Sequence, residues 1–347
     1  CGFCRAVCPL FGLTKRPAFN ARGKMLILKE VMDGCIDLDD QLVDTLFQCT
    51  TCGACAQQCP SGVNPPEIIK QARKDMVRNH SCHPAFEGMH QVLQEHTNIY
   101  GEAEPEDFER ERNRKAPFVY FIGCVGSYRE DEATLAALDL LDHLKVDYTL
   151  IDEVCCSGVL DDVGFQTQDA LARKNVDLIL NTGAKTVITG CPYCFRTFND
   201  RPAYKAFKNN GIEIVHLSQV LKNFDMGVET GKKVTYHDPC DLGRHCGIYD
   251  APRETIQKIA PDFVEMRHNR ANALCCGAGG GVRGAYAKNS IAMARRRLEE
   301  VEEIGAEIVL TECNSCVHNP SNAKLRSQKF KVYTTTQFIN RLIQGEE

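Results

Sequence analysis

Apolar residues fall along this chain in two rhythms, and the change of rhythm divides it. Up to about residue 80 they recur at helical spacing. Met25, Leu28, Val31 and Met32 share one face of a segment, Ala18 to Asp33, that reads as a helix. Asp39 or Asp40 caps a second helix through Leu42, Leu46 and Phe47. Pro65-Pro66 opens a third, Glu67 to Asn79, because proline suits a first helical turn. From residue 118 the rhythm is different. Phe118-Val119-Tyr120-Phe121-Ile122, Val187-Ile188-Thr189, Val234-Thr235-Tyr236 and Ile308-Val309-Leu310 are short continuous apolar runs, the mark of strands buried on both faces. Helical patterns separate them, over Glu132 to Leu144, Asp169 to Asn181, Pro252 to Ile259 and Ser290 to Ile304. Strand alternating with helix predicts open parallel sheets with right-handed crossovers. The expected fold class is an α/β C-terminal region of two pseudo-repeated parallel-sheet halves, 118–230 and 231–347, preceded by an all-α region, 1–82. Residues 83–117 join the two. Their charged stretch, Glu102 to Lys115, reads as a solvated connector rather than a docking site.

Composition narrows the class. The chain has 347 residues, of which 20 are cysteine and 43% hydrophobic. It is too long to need staples for its core, and its cysteine fraction is too low for a small disulfide scaffold. No apolar run approaches the roughly 20 residues of a membrane-spanning helix, and no signal peptide is present. Thiols in this number imply a reducing compartment. A net charge of −5 and pI near 6.1 argue against nucleic-acid binding.

The cysteines carry the chemistry. Cys124, then Cys155-Cys156, then Cys191-x-x-Cys194 follow the same order as Cys240, then Cys275-Cys276, then Cys313-x-x-Cys316. Each set is a lone cysteine, an adjacent pair about thirty to thirty-five residues on, and a C-x-x-C about as far again. Five thiolates exceed what one tetrahedral zinc needs. A larger sulfur-rich object, an iron–sulfur cluster, is the better match. The lone cysteines and the C-x-x-C pairs follow predicted strands, at the carboxyl ends where parallel sheets collect ligands.

A second spacing lies at the N-terminus. Cys49-x-x-Cys52-x-x-Cys55-x-x-x-Cys59-Pro60 is the run used for cubane [4Fe–4S] clusters. Cys1-x-x-Cys4-x-x-x-Cys8-Pro9 is the same run without its first cysteine, as expected if the sequence begins inside the motif. In two-cluster proteins the fourth cysteine of each run ligates the other cluster. One cubane is then expected on Cys49, Cys52, Cys55 and Cys8, the other on Cys1, Cys4, Cys59 and a ligand upstream. The alternative, a pair of zinc knuckles, has no use for so many closely spaced sulfurs. With its predicted helices, this region reads as a helical ferredoxin domain. The glycines after Cys276, Gly277-Ala278-Gly279-Gly280-Gly281, lack dinucleotide-loop spacing. They are expected to let backbone pass close to a cluster and donate N–H groups to its sulfides. Cys35, Cys82 and Cys246 lie outside every pattern and read as inert thiols.

These motifs resemble the cysteine-rich CCG domain of heterodisulfide reductases. The two cubane motifs ahead of it on one chain resemble the membrane-associated, D-type subunit of that family. The one departure is Ser157, where the first CCG would have the glycine that Gly277 keeps in the second. The resemblance implies a noncubane [4Fe–4S] cluster on Cys124, Cys155, Cys156, Cys191 and Cys194. A second would sit on Cys240, Cys275, Cys276, Cys313 and Cys316. All ten are then the catalytic as well as the metal-binding residues of an enzyme that reduces or forms a heterodisulfide of two small thiols. His237, Asp238, Arg244 and His245, beside Cys240, are candidate supporting groups, and helix capping or surface exposure is the plainer reading of each. No quinone, haem or flavin motif is present, so a membrane b-type cytochrome or a flavoprotein is the expected redox partner. The expected place is the cytoplasm, on the inner face of the membrane through that partner. The same CCG domain occurs in iron–sulfur subunits of glycolate, lactate and glycerol-3-phosphate dehydrogenases and in sulfate-reducer complexes, so an electron relay is the alternative.

Overall fold

The computed structural model describes residues 1–103, 108–166 and 169–347. Part of the charged stretch, 104–107, lies outside the described residues.

The N-terminal region is helical. Asn20 caps Ala21–Met32 by accepting the Gly23 amide at 3.0 Å, and Asp39 caps Asp40–Phe47 through the Leu42 amide at 2.8 Å. Pro65–Arg78 begins on its two prolines. A further helix, Pro84–His96, falls inside the segment that reads as a connector, and buries Phe86 and Leu93. The rest of that segment's described residues are tied to the first half. Arg110 pairs with Asp139 and Asp142, Arg114 with Asp147, and Arg112 forms a parallel bridge to Leu150.

The C-terminal region holds two parallel sheets. The first has β1 (Phe118–Phe121), β2 (Tyr148–Thr149), β3 (Thr186–Thr189) and β4 (Glu213–His216) in the order β2-β1-β3-β4. The second has β5 (Val234–His237), β6 (Ile308–Thr311) and β7 (Lys331–Thr334) in the order β5-β6-β7. The order β1-β3-β4 is repeated as β5-β6-β7. Even the β2 position has an echo, where the Val264 amide donates to the Val234 carbonyl at 2.9 Å. The halves share one apolar core to which Tyr120 and Leu141 contribute from the first and Tyr236, Leu310 and Phe338 from the second. Helix Asp131–His143 of the first half packs on the last helix, Thr335–Gln344, and Leu217–Leu221 packs reciprocally on Asp250–Ile259. Two similar units exchanging equivalent helices form a pseudo-twofold pair. Among the described residues no helix is long and apolar enough to cross a membrane.

One side chain joins the three parts. Arg73, wholly buried, donates to the carbonyls of Leu46, Phe47 and Cys49 in the helical region at 2.7 to 3.0 Å. It also donates to Asp162 of the first half at 2.6 Å and to Gly280 of the second at 3.2 Å. Nearby, Thr51 donates to Asp162 at 2.9 Å, Arg244 to the Cys52 carbonyl at 2.6 Å, and His245 Nε2 to the Thr51 carbonyl at 2.9 Å.

Candidate iron–sulfur centres

In each half the lone cysteine and the C-x-x-C pair follow two adjacent strands, β1 and β3 in the first and β5 and β6 in the second, and the adjacent cysteines arrive from the loop between. In the first half Cys156 and Cys194 have their sulfurs 3.5 Å apart. Contacts continue from Cys155 to Cys124 and from Cys194 to Cys191. In the second, Cys276 and Cys316 are 3.2 Å apart, with Cys275 touching Cys240 and Cys316 touching Cys313. All five predicted sulfurs of each set are therefore brought into one chain of contacts. Hydrogen bonds from the neighbouring thiols hold Cys156 and Cys276 well below the ordinary thiol value, while the same contacts, with burial, push Cys155, Cys194, Cys240 and Cys316 up. Buried sulfurs so crowded cannot all ionise without a cation among them, and a metal centre supplies one. The backbone is shaped for the same crowding: a Cβ on Gly123, at φ 82°, would sit 2.9 Å from Cys194 Sγ. The donor set and the cradle fit a sulfur-ligated iron cluster.

Ser157 keeps the geometry of the glycine it replaces. Its φ is 55° against 87° at Gly277, and its amide donates to Cys155 Sγ at 3.3 Å as that of Gly277 does to Cys275 Sγ at 3.3 Å. The turn is the same in both halves despite the substitution. The glycine-rich loop passes close to backbone of the helical region: a Cβ on Gly280 would collide with the Cys49 carbonyl, and one on Gly279 would lie 2.7 Å from that of Thr50. At its start, the Gly277 and Ala278 amides point to the sulfurs of Cys275 and Cys276.

In the helical region Cys8, Cys49, Cys52 and Cys55 line one cavity, closed by Leu10, Phe19 and Ile69. Burial pushes the Cys8 thiol up to about 12. Lys24, fully buried at the same cavity, is pulled down to about 8 by burial and donates to the Thr45 carbonyl. Cys4 lies on the short helix Phe3–Ala6, which packs on Ala54–Gln57, and Cys59 follows the latter. Cys4 and Cys59 are half-buried and Cys1 is exposed. Cys52 also contacts Cys275, so the cavity of the helical region abuts the second five-cysteine set. At the first set a different opening appears, lined by Thr97, Asn98, Tyr128 and Glu153 with Cys124 and Cys155. The seam between the halves is in direct contact nearby, where His318 Nδ1 meets Glu130 at 2.6 Å.

The four supporting groups separate. Asp238 is held by Arg253 at 2.7 and 2.9 Å and is part of the scaffold. Arg244 and His245 grip the carbonyls of Cys52 and Thr51, so they neither cap a helix nor lie free at the surface. His237 is buried against the second set. Of the remaining thiols, Cys35 is exposed, and burial pushes half-buried Cys82 to about 11 and Cys246 to about 12. Sequence reasoning missed Arg73, Lys24 and the Cys52–Cys275 contact.

Two parallel-sheet halves with cysteines at their strand ends, behind a helical dicluster region, define an iron–sulfur oxidoreductase. A model of the cysteine-rich domain matches residues 118–199 and 234–319, and one of the 4Fe-4S dicluster domain matches residues 1–63. The chain is 30% identical over 364 residues to the D-type subunit of the dihydromethanophenazine:CoB–CoM heterodisulfide reductase of Methanosarcina barkeri, covering 93% of this chain and 88% of that protein. The corresponding protein of Methanosarcina mazei is also 30% identical, over 92% of this chain and 86% of its own. The EtfAB:quinone oxidoreductase of Syntrophomonas wolfei is 24% identical over 79% of this chain, within 43% of its own length. A hypothetical protein from Helicobacter pylori shares the fold at TM-score 0.66 and 11% identity, covering 98% of this chain and 71% of that one. The chain belongs to the family of heterodisulfide reductase D-type subunits.

Proposed function

We propose that this chain reduces or forms a disulfide of two small thiols at two noncubane [4Fe–4S] clusters, fed by two cubane clusters. Cys124, Cys155, Cys156, Cys191 and Cys194 hold one noncubane cluster; Cys240, Cys275, Cys276, Cys313 and Cys316 hold the other. Cys49, Cys52, Cys55 and Cys8 hold one cubane, and Cys1, Cys4 and Cys59 serve the other. Residues 1–82, 83–117, 118–230 and 231–347 are the corresponding divisions of the chain.

The observation that carries this reading is that both five-sulfur sets are complete and gathered, while one touches a cubane-run cysteine at Cys52–Cys275. A relay needs one path in and one out, and has no use for two matched sets. Bound iron supplies the positive charge that makes a thiolate a stable leaving group at neutral pH. The chain's own residues do the rest. Arg244 and His245 fix the Cys52 segment against the second half. Leu93, Val154 and Leu160 pack around Cys155 and keep water from its inner side. The opening beside Cys124 and Cys155 gives a small thiol its way in. A membrane b-type cytochrome or flavoprotein on the cytoplasmic side is the partner this reading requires.

The alternative is an electron relay with no substrate of its own, which the similarity to the EtfAB:quinone oxidoreductase favours. Replacing Cys155 or Cys275 by Ser separates the two. Disulfide turnover should be lost in each variant while the cubanes are still reduced by the donor, and the double variant should be no worse than either single one. Full disulfide-reducing activity in Cys155→Ser would end the two-cluster reading. The absence of a thiol-induced paramagnetic signal in the oxidised, fully loaded protein would favour the relay.

A further inference from the structure

The pseudo-repeat is broken at a buried position beside the cysteines. Phe121 ends β1 and His237 ends β5, each three residues before the lone cysteine of its half. Phe121 is fully buried in an apolar cluster with Cys156 and Cys194, its ring edge-on to Phe198 at 4.8 Å. His237 is as deeply placed, at 3% exposure, but faces a guanidinium: its Nδ1 accepts from Arg297 Nε at 3.0 Å. Arg297 is itself buried and anchored through the His268 carbonyl at 2.7 Å and through Glu300. A guanidinium only donates, so the nitrogen facing it carries no proton. The imidazole is thereby locked as the tautomer with its hydrogen on Nε2. A ring nitrogen of His237 and the sulfurs of Cys276 and Cys316 all lie within 4.8 Å of one another.

We infer that His237 donates an Nε2–H hydrogen bond to the sulfur of Cys276 or Cys316, and that this makes the second five-cysteine centre the more easily reduced of the two. Reduction adds negative charge to the iron and its thiolates, and a donor aimed at a ligand sulfur stabilises that charge, raising the potential. Phe121 offers the first centre no such donor. The second centre is also the one that touches Cys52, so an electron arriving from the helical region meets the more receptive site first. Arg297 acts through His237, as a positioning residue. The inference rests on the proposed occupation of both sets by iron–sulfur clusters.

The test uses the full chain, anaerobically reconstituted, with iron content measured before any potential. In redox titrations followed by electron paramagnetic resonance, His237→Phe should lower the reduced-to-oxidised ratio of the second centre at least tenfold at fixed potential. For one electron that is a shift of about 59 mV. The first centre should not move. His237→Gln, which keeps an N–H donor, should recover part of the shift, and Phe121→His should raise the first centre instead. An exchangeable proton coupled to the second centre should vanish in His237→Phe. Unchanged potential in a fully loaded His237→Phe, or an equal shift at both centres, would overturn the inference. If His237→Phe fails to load, Arg297→Met decides the matter, since releasing the tautomer should lower the second centre alone. A wild-type chain that never loads iron at the second set would instead defeat the proposed function.

Discussion

Replacing Arg73 by Met should loosen three parts of the molecule at once. Its guanidinium serves five carbonyls with no access to solvent. The Leu46 carbonyl keeps the Cys49 amide, at 3.4 Å, but those of Phe47, Cys49, Asp162 and Gly280 lose the donor described for them. A buried acceptor left without a donor costs about 1–3 kcal/mol, so four set a gross loss of roughly 4 kcal/mol or more. Opposing this, burial disfavours the guanidinium itself and pulls its pKa down, a cost that truncation removes. The net expectation is a loss of about 3 kcal/mol, a sizeable share of the 5–15 kcal/mol by which proteins are stable. Arg73→Lys should recover little, because one ammonium has three donors and no planar fork. Anaerobic urea unfolding, followed by far-ultraviolet circular dichroism and by the visible absorbance of the clusters, reads both effects. The visible signal should bleach at lower urea, since the Cys49 carbonyl is among those released. A loss below about 1 kcal/mol, or one in which the cluster absorbance keeps its wild-type midpoint, would refute the argument.

Ser157→Gly should stabilise the chain by about 1 kcal/mol in thermal unfolding: it relieves left-handed strain of about 1–2 kcal/mol and removes a buried hydroxyl with no hydrogen-bond partner among the described residues, against some added unfolded-chain entropy. His216, fully buried, has its pKa lowered to about 4 by burial, below its ordinary 6.5. Its neutral form is thus favoured in the folded state, and the associated stability is complete above pH 6.5 and falls as pH drops towards 4. The loss reaches about 3 kcal/mol, and His216→Asn, which keeps an acceptor for the Ser218 amide, should flatten that slope in denaturant titrations from pH 7 to 4.

The cysteine sets were legible because their order is local and repeated, and so were strands β1, β3, β5 and β6, whose apolar runs need no partner to be recognised. The other strands were not. Glu213–His216 and Lys331–Thr334 begin exposed and bury fully only their last residue, so they lack the continuous apolar signal. Strand β2 has two residues, too few to carry any period. Pro84–His96 was hidden by its setting beside a charged stretch, although Phe86 and Leu93 are a full helical repeat apart. Arg73 was invisible for a different reason. On the helix Pro65–Arg78 it reads as one polar residue among several, and its acceptors lie as far away in sequence as Gly280. The glycine-rich loop was recognised as a place of close approach, but what approaches it, the Cys49–Thr50 backbone, is set by tertiary docking.

That docking has a consequence for how the molecule is put together. Arg73 finds all its acceptors only when residues near 47, 162 and 280 have converged, so the helical region gains this anchor at the last step of collapse rather than the first. Convergence also seals the place where Cys52 meets Cys275, leaving both sulfurs buried. On the proposed occupation of these sulfurs by clusters, iron and sulfide would enter while the three segments are still apart. The final closure would then work as a latch over centres already assembled, and a chain that closed empty would have to open again before it could be filled.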